Sequence, residues 1–580
     1  MLNFKKDFEK DLFLDAMERL DARYDPAVRL MTEYRGKNGY HSKLSDCTVH
    51  GTRASFEYAR LLLCRDAEGD RARAADVLYR ALPLQDINPA RSTYGIWAYF
   101  WEEDLEEMDK PDWNWADFNA ELLLAMLGEH REKLSDDLAA RMTDSVRHAC
   151  RSIIRRNVGP GYTNISVKGA YVTLYAGEQF GDAEFFDYGR ERLKKLYDFN
   201  FSHGSFAEFN SPTYTFECLR NLADIEHDVK DEECRRLAHE LSGLAWETVA
   251  FHYHPATAQL AGPHYRAYSL LLENSKKLSI ERALDYRIRL IEDYGIFEKG
   301  GVSASLFTSH LSCPEKYIPY FTGVDGERIY DMTYAPGAMA YTYMNERFTL
   351  GSLRRETTWN QHRDVLGYFG TAAEPIGFSL RCTHDFWDYA SGVLATVQDK
   401  GRTLSVLGFA TDQGDTHCNL DMVKNATIAA EDLRFGCVFG GAVQHLTVTQ
   451  CGPHTFRASD GRDGTTVQID FPYAVFGEEP VQFEIRRADG QISVDAVFYH
   501  GPRKNIDFRT LGRALVVTAI GIAASPDAPA PTASASEDAG RVRGVCGNLE
   551  AAMAPAPAPI RELVASVEVR RDGAPYVPAY

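Results

Sequence analysis

The strongest constraint on the fold is a change in the spacing of apolar residues near residue 300. Up to about residue 295, apolar side chains recur at helical spacing among charged ones, which predicts helices. Beyond about residue 300, alternating and β-branched runs separated by turn signals predict strands. A chain of 580 residues is too long for one core. We therefore expect an α+β protein with two domains, residues 1–300 and 301–580.

The predicted helices of the first domain are joined by loops that contain Gly, Pro and Asn, as in stacked antiparallel hairpins. No fixed repeat stands out, so we expect an α/α toroid rather than a solenoid of sequence repeats. The predicted helices cover residues 4–20, 55–65, 71–82, 116–127, 134–156, 165–176, 183–197, 215–225, 232–249 and 278–296.

The predicted strands of the second domain indicate a large antiparallel β-sandwich. The Pro- and Ala-rich residues 525–537 are interpreted as a surface loop or an insertion near the end of that sheet. The strands cover residues 340–350, 377–382, 392–397, 403–409, 434–439, 444–450, 465–471, 481–487, 491–498, 514–522 and 562–570.

The composition excludes several classes of protein. A net charge of −19 argues against a nucleic-acid binder, and no apolar run is long enough to span a membrane. The 11 cysteines are scattered singly without a C-x-x-C pair, and the N-terminal residues lack a secretory signal. We expect a cytoplasmic protein, and the sequence identifies no metal site and no cofactor.

The stretch of residues 204–214, Gly-Ser-Phe-Ala-Glu-Phe-Asn-Ser-Pro-Thr-Tyr, lies between two predicted helices. Pro212 disfavours helical geometry at Ser211 and suits the first turn of the helix that follows. Tyr214 is therefore predicted at a helix start, held by a rigid lead-in. We interpret Tyr214 as a proton-transfer residue of a carbohydrate-active enzyme.

The segment from Glu208 to Tyr214 resembles the E-x-S-P-x-Y stretch of heparinase III-like and related alginate lyases, with one extra residue between Glu and Ser. Gly204-Ser-Phe, with Tyr214 eight residues after the Phe, is similar to the matching segment of hyaluronate and chondroitin lyases. The resemblance implies that Tyr214 is the catalytic acid and base. The histidine of hyaluronate lyases is replaced here by Phe209, so the histidine partner is His264, His362 or none.

Two flanking segments extend the resemblance. Residues 161–164, Gly-Tyr-Thr-Asn, resemble the lyase segment whose asparagine holds the substrate carboxylate, which implies that role for Asn164. The alternative is that Asn164 simply caps the next helix. Residues 261–268 resemble the Gly- and Arg-containing segment after the tyrosine helix, which implies that Arg266 is a cation beside the carboxylate or the tyrosine. His264 is a candidate for lowering the tyrosine pKa or for the general base, or else a structural histidine.

Further substrate-binding candidates lie in the same stretches and in two aromatic segments. The aromatic residues are either sugar-stacking platforms or core. A loop-like segment of the second domain combines an imidazole with a guanidinium. The candidates are Glu208, Asn210, Tyr268, Trp97, Trp101, Trp113, His362 and Arg363.

The reaction that the resemblance implies is β-elimination on an oligo- or polysaccharide that contains uronic acid. Removing the proton next to a carboxylate requires that the carboxylate charge be offset by Asn, His or Arg. One tyrosine can take the C5 proton and protonate the leaving oxygen if a cation lowers its pKa. A helical half followed by a β half is also a common layout of polysaccharide lyases.

Three other functions remain open. A glycoside hydrolase on an α/α toroid would pair Glu208 with an acid such as Glu102, Asp104 or Asp112. A uronyl epimerase would begin with the same proton abstraction. The third is a non-catalytic glycan-binding protein, because Phe209 stands where the related lyases have a histidine. The sequence leaves open whether the protein forms a homo-oligomer.

Overall fold

A computed structural model describes residues 1–36, 41–297, 300–354, 356–385, 387–412, 423–525 and 532–577. Its α-helices lie mostly before residue 284, as the sequence predicts. They are α1 (Asp7–Asp21), α2 (Thr52–Arg65), α3 (Asp70–Ala81), α4 (Asn114–Glu129), α5 (Asp136–Arg156), α6 (Thr163–Phe180), α7 (Ala183–His203), α8 (Tyr214–Asp228), α9 (Glu232–His252), α10 (Asn274–Ala283) and α11 (Ile560–Ser566).

The strands lie mostly after residue 326. They are β1 (Tyr24–Asp25), β2 (Leu30–Arg35), β3 (Cys47–Gly51), β4 (Tyr253–His254), β5 (Gln259–Leu260), β6 (Glu327–Ala335), β7 (Ala338–Asn345), β8 (Thr349–Arg354), β9 (Glu356–Thr357), β10 (Val365–Gly370), β11 (Pro375–His384), β12 (Trp387–Asp388), β13 (Gly392–Asp399), β14 (Arg402–Phe409), β15 (Thr427–Gly441), β16 (Leu446–Gln450), β17 (Thr455–Asp460), β18 (Thr466–Phe476), β19 (Gln482–Ala488), β20 (Gln491–Asp507), β21 (Ala514–Ala523), β22 (Ser534–Asp538), β23 (Arg541–Cys546), β24 (Leu549–Met553), β25 (Glu568–Arg571) and β26 (Ala574–Pro575).

The chain forms two compact units that are interleaved in sequence. The helical unit contains Met1–Ser202, Tyr214–Trp246 and Asn274–Glu315. The β unit contains His203–Thr213, Glu247–Glu273 and Lys316–Tyr580. Most of the unusual stretch at residues 204–214 thus belongs to the β unit, whereas Tyr214 belongs to the helical unit. The division at residue 300 follows secondary-structure type, and it stays a prediction of domain organisation.

The helical unit is built from hairpins. The helices pair as α2 with α3 and α4 with α5, while α2, α4, α6 and α8 contact one another in succession. The helix α7 packs closely on α6, because a side chain at Gly189 would collide with Leu174. Alternation of inner and outer helices in this way is the arrangement of an α/α toroid, and it confirms the predicted fold class of the helical part.

The β unit contains three large antiparallel sheets. The first has nine strands in the order β19-β20-β15-β11-β10-β8-β7-β6, with β12 paired to β11. The second has seven strands in the order β16-β17-β18-β21-β14-β13-β9. The third has five strands, β22 to β26 in chain order. The predicted antiparallel sandwich is confirmed, and the third sheet adds a layer to it.

The strand β14 shows how these three sheets stack. Its side chains Leu407 and Phe409 lie in the core shared by the nine- and seven-stranded sheets. Leu404 and Val406, which point to the opposite face, pack in a second core that also contains Met553 of the five-stranded sheet. Because both faces are covered, this strand is almost continuously apolar rather than alternating.

The predicted C-terminal boundary of the helix at residues 278–296 is wrong. The helix α10 ends at Ala283, because Asp285 and Tyr286 adopt left-handed backbone conformations. The buried carboxylate of Glu281 then accepts hydrogen bonds from the backbone N–H groups of Leu290 and Ile291, which replaces the bonds that a helix would supply.

The strand predictions have three corrections. Residues 340–350 cover a hairpin of β7 and β8 rather than one strand, and residues 562–570 contain the end of α11 before β25 begins. The strands without any prediction are β1–β6, β9, β10, β12, β17, β22–β24 and β26. Part of the predicted loop at 525–537 forms β22, and residues 526–531 lie outside the described residues. Among the helices of the described residues, none is both long and apolar enough to cross a membrane.

Candidate active site

Two of the predicted catalytic residues lie in the first turns of helices of the helical unit. The helix α8 begins at Tyr214, directly after Pro212 and Thr213, which confirms the predicted helix start. The helix α6 begins at Thr163 with Tyr162 as its N-cap, so Asn164 is the second residue inside the helix. The interpretation of Asn164 as an ordinary N-cap is therefore wrong. Its side chain is buried, whereas Tyr214 is half-buried.

The helices α2 and α4 run in the same direction. Near their starts, the guanidinium carbon of Arg53 lies 4.1 Å from the ring centre of Phe118. Near their ends, Arg60 Nη2 lies 2.9 Å from Glu129 Oε1. Because the contacts advance along both helices together, the two helices are parallel and their C-terminal ends lie side by side.

The helix α6 continues this parallel series. The ammonium of Lys168 lies 4.5 Å from the ring centre of Phe118, in the first half of α4 and of α6. In the second half of both helices, Gly128 lies against the hydroxyl of Tyr175. The order of these contacts again places the starts of the two helices at one end of the helical unit.

The helix α8 follows the same direction. Its Glu217 lies 3.6 Å from Lys168, and farther along both helices the Tyr171 hydroxyl donates to Asp228 at 2.7 Å. The first turns of α6 and α8 therefore lie at the same end of the helical unit. The structure thus brings the two predicted catalytic residues of this unit, the asparagine and the tyrosine, to one end of adjacent helices.

A buried cluster of charges lies along the inner helices, starting in the first turn of α8. The Arg220 guanidinium pairs with Glu121 at 2.5 Å, with Glu217 at 3.1 Å and with Asp224 at 3.5 Å. The ammonium of Lys168 contacts both Glu121 and Glu217. Two cations and three carboxyl groups thus lie together, with Lys168 and Glu121 buried and the other three partly buried, so the carboxyl groups compete for the positive charge.

The cluster is electrically balanced if one carboxyl group is protonated. Burial raises the pKa of Asp224 to about 7, and the contact with Arg220 only partly offsets this effect. Burial also opposes ionisation of Glu217, but Arg220 and Lys168 outweigh it and hold that pKa at about 2. Below about pH 7, Asp224 is therefore the protonated carboxyl group of the cluster, and the two ionised carboxylates of Glu121 and Glu217 face two cations.

In the β unit, the stretch before Tyr214 is tied to residues 261–266 by side-chain hydrogen bonds. The Asn210 amide donates to the carbonyl oxygens of Ala261 at 2.7 Å and Pro263 at 3.0 Å. The Ser211 hydroxyl donates to the carbonyl of Arg266 at 2.6 Å. Asn210 also has a positive φ of 46°, a conformation that Asn tolerates better than most residues. Because both amide hydrogens are used here, Asn210 is a positioning residue, which corrects its assignment to substrate binding.

Arg266 forms a buried ion pair with Glu208. Its Nη1 donates to Glu208 Oε1 at 2.5 Å, and its Nε donates to Gln361 Oε1 at 2.7 Å. The guanidinium carbon also lies 5.4 Å from the ring centre of Trp359. The structure thus brings two predicted site residues together. The Glu208 carboxylate, however, is already bound to Arg266. The positive charge of Arg266 is correspondingly offset within the β unit.

The two candidate histidines are both buried and neutral at physiological pH. Burial lowers the pKa of His264 to about 3 and that of His362 to about 4. His264 uses Nε2 to bond the carbonyl of Leu260, whereas His362 uses Nδ1 to donate to Thr357. Neither ring supplies the cation expected beside a catalytic tyrosine. Within the described residues, His362 Nε2 and His264 Nδ1 are both buried without a hydrogen-bond partner.

Position 209 is part of the hydrophobic core of the β unit. Phe209 is buried and stacks on Tyr334 at 5.0 Å between ring centres. The imidazole of His252 meets the edge of the same ring at 5.3 Å. A polar histidine at position 209 would therefore face an apolar cluster. The departure from the hyaluronate lyase pattern is explained by packing.

A pocket of about 430 Å³ in the β unit contains two predicted site residues, Tyr268 and Arg363. Tyr268 is 54% exposed. Arg363 is only 7% exposed, and its Nη1 donates to the carbonyl oxygens of Asn360 and His362. The wall is completed by aromatic, amide and charged side chains. They include Trp387, Gln491, Arg381 and Asp388.

The cations of this pocket differ in their partners. Arg381 forms a two-pronged pair with Asp388, with both N–O distances at 2.8 Å. Arg363 forms no salt bridge within the described residues, and burial together with the neighbouring Arg381 lowers its pKa below the usual value. A buried guanidinium that lines a cavity without a carboxylate partner is suited to an anionic ligand.

The aromatic candidates of the helical unit divide into core and surface. Trp97 is fully buried and meets the edge of Phe56 at 5.8 Å, so it has no face for a sugar and the assignment to substrate binding is wrong. Trp101 is 38% exposed, but Arg80 covers one face at 3.4 Å from the ring centre. Trp113 is half-buried and its Nε1 donates to the carbonyl of Ser92.

Sequence reasoning missed the charged cluster of the inner helices and most of the pocket wall. Lys168 is a lone cation within the apolar run of α6, and Glu121 interrupts the apolar run of α4. A charge in such a run is a usable signal, since buried charges are rare unless paired. No comparable signal marks Arg381 and Asp388, because their pairing depends on the register of β11 with β12.

Comparison with known families gives one match. The model of a domain of unknown function (DUF8769) matches residues 10–283. No curated protein matches the chain. The match covers α2, α4, α6 and α8, which hold Asn164, Tyr214 and the charged cluster.

Several solved structures of lyases are similar over nearly the whole chain at low identity. Heparinase III is 11% identical, with a TM-score of 0.44 over 99% of this chain and 91% of that protein. The chondroitin AC lyase of Streptomyces coelicolor A3, solved with chondroitin sulphate, is 11% identical, with a TM-score of 0.47 over 94% of this chain and 85% of that protein. The heparan sulfate lyase HepC of Pedobacter heparinus is 9% identical, with a TM-score of 0.34 over 98% and 94%.

Proposed function

We propose that this protein is a lyase that cleaves uronate-containing oligo- or polysaccharides by β-elimination. The observation that carries the proposal is Arg363, a buried guanidinium without a salt bridge in the described residues that lines a pocket beside an exposed tyrosine and Trp387. Aromatic faces stack on sugar rings, and guanidinium groups bind carboxylate or sulfate. An acidic glycan offers both kinds of group.

The proposed chemistry assigns the proton transfers to Tyr214. As a phenolate it takes the C5 proton of the uronate, and the electrons of the C5–H bond form the C4–C5 double bond. The bond between C4 and the glycosidic oxygen breaks, and the tyrosine returns its proton to that oxygen. The products are an unsaturated uronate and a new reducing end.

The other candidates take supporting roles in this proposal. Asn164 binds the uronate carboxylate, because it lies at the same end of the inner helices as the tyrosine. Arg266 and Glu208 hold residues 208–211 in place. Of the two histidine candidates, both in the β unit, His362 is preferred to His264, because it lies in the segment that also supplies Gln361 to Arg266.

The cellular location is part of the proposal. The cysteines are scattered singly along the sequence without a C-x-x-C pair, which is typical of a protein from a reducing compartment. We therefore propose that the protein acts in the cytoplasm, on oligosaccharides that have been imported.

The test is an assay with a panel of uronate glycans that differ in sulfation and chain length. A lyase produces the ultraviolet absorbance of an unsaturated uronate in step with new reducing ends. New reducing ends without that absorbance indicate hydrolysis and contradict the proposal. Proton exchange at C5 without cleavage indicates an epimerase and contradicts it as well.

A further inference from the structure

Three potential metal ligands meet at the C-terminal ends of α2 and α4. Cys64 Sγ lies 3.3 Å from His130 Nε2, and His130 Nε2 lies 3.6 Å from Glu129 Oε2. All three ligand atoms lie within 4.8 Å of one another. His130 is buried, and the other two residues are half-buried.

We propose that Cys64, Glu129 and His130 form a zinc site. Zinc binds thiolate sulfur at about 2.3 Å and imidazole nitrogen or carboxylate oxygen at about 2.0–2.2 Å in a tetrahedral arrangement. Two ligand atoms of such a tetrahedron are about 3.3–3.6 Å apart. The two measured separations match that spacing. A mixed set of sulfur, nitrogen and oxygen also favours zinc over calcium or magnesium, which prefer oxygen ligands.

The fold explains why ligands distant in sequence meet. Cys64 is the penultimate residue of α2, Glu129 is the last residue of α4, and His130 caps α4. Because α2 and α4 are parallel, their last turns lie side by side. A bound zinc ion would therefore tie two inner helices together at the end opposite to Asn164 and Tyr214.

The surroundings fix the position of the Glu129 carboxylate. Arg60 pairs with Glu129 Oε1 at 2.9 Å, which leaves Oε2 directed to the histidine. The amino group of Met1 also contacts Oε2, and a carboxylate oxygen has lone pairs for more than one partner. Three protein ligands leave the fourth position to water.

The site is separate from the proposed lyase chemistry. From Thr52 at the start of α2 to Cys64 the helix rises about 18 Å, at 1.5 Å per residue. Zinc binding is therefore testable whatever the reaction of the enzyme is, and its failure would leave the lyase proposal untouched.

The experiment is metal loading of the purified full-length chain, first with cobalt and then with zinc. Cobalt bound by a thiolate shows a charge-transfer absorption in the near ultraviolet. We expect this band in the wild-type protein, its loss in Cys64→Ser, and displacement of cobalt by about one zinc ion per chain. Zinc should also raise Tm of the wild-type protein, because it binds only the folded chain.

Matched controls separate this site from incidental metal binding. Cys47 is also a half-buried free cysteine of the helical unit, so Cys47→Ser should keep the band. His130→Gln and Glu129→Gln should weaken cobalt binding in chains whose circular dichroism shows them to be folded. A band that is absent from the wild-type protein, or one that survives in Cys64→Ser, would overturn the proposal.

Discussion

Arg363 and Arg381 line the same pocket of the β unit, yet only Arg381 forms a salt bridge in the described residues. Its guanidinium is held by both oxygens of Asp388 at 2.8 Å. Arg363 is more deeply buried and bonds only backbone carbonyls through Nη1. A buried cation without a charged partner costs stability, so its presence indicates a function.

Arg363→Met should weaken binding of acidic glycans by about 10- to 100-fold, the worth of one charged hydrogen bond. The variant loses the charge but keeps most of the side-chain length. Kd measured by calorimetry should change for the uronate glycan and stay nearly constant for its carboxyl-reduced form. Arg402→Met is the control, because Arg402 pairs with Asp399 outside the pocket. Equal losses with both glycans would contradict an anion-binding role.

Tyr214→Phe should lower kcat by about 100- to 10,000-fold, as expected for loss of a general acid–base group. The ring stays, so the first turn of α8 should keep its packing and Tm should change little. The rate is measured from the unsaturated product. Tyr175→Phe, a change of another half-buried tyrosine in the second half of α6, should leave the rate unchanged. Full activity of the Tyr214 variant would disprove the mechanism.

The ion pair of Glu208 and Arg266 is open to a double-mutant cycle. Glu208→Gln or Arg266→Met alone should lower the free energy of unfolding by about 3–5 kcal/mol, because each leaves a buried charge without its partner. The double variant should lose clearly less free energy of unfolding than the sum of the losses in the two single variants. Urea unfolding gives the four values. The exposed pair Asp137 and Arg141 is the control and should couple by only about 0.3–0.5 kcal/mol. Additive losses at 208 and 266 would show that the pair acts only through packing.

The raised pKa of Asp224 predicts a pH dependence of stability. Burial raises this pKa from 3.8 to about 7, so between these values the folded chain holds a proton that the unfolded chain has lost. Stability therefore falls as pH rises through this window. Asp224→Asn should remove this fall and gain about 1–4 kcal/mol over the wild-type protein at about pH 8, with little difference at about pH 4.

The measurement for Asp224 is the free energy of unfolding in urea across this pH range. Glu233→Gln changes an exposed carboxylate of α9 and should leave the slope as it is in the wild-type protein. A wild-type stability that rises between about pH 4 and 7, with the same rise in Asp224→Asn, would show that Asp224 is ionised throughout.

The sequence predicted those elements whose structure is set by neighbouring residues in the chain. Pro212 restricts the backbone before Tyr214, and the helix begins where that restriction predicts. The periodicity of apolar residues likewise located the inner helices. In contrast, β22–β24 are rich in Ala, Gly, Ser and charged residues. They acquire their structure by pairing with one another and by packing on β13, β14 and β18, a tertiary effect that propensity does not contain.

The candidate site was only partly predictable, because its contacts join distant segments. Arg266 meets Gln361 in the β unit, and Cys64 meets His130 at the ends of parallel helices. Neither contact has a sequence spacing that marks it. The aromatic segment near Trp97 illustrates a different difficulty. A tryptophan can pack in a hydrophobic core or stack on a sugar ring, and only its burial in the structure distinguishes the two.

The parallel course of α2, α4, α6 and α8 has an electrostatic consequence. Each helix has a dipole equivalent to about half a positive charge at its N-terminal end and half a negative charge at its C-terminal end. Since the four dipoles point the same way, their positive ends add at the end of the unit that carries Asn164 and Tyr214. A uronate carboxylate and a phenolate are both favoured there. The negative ends add beside Cys64 and Glu129, where the same field attracts a divalent cation.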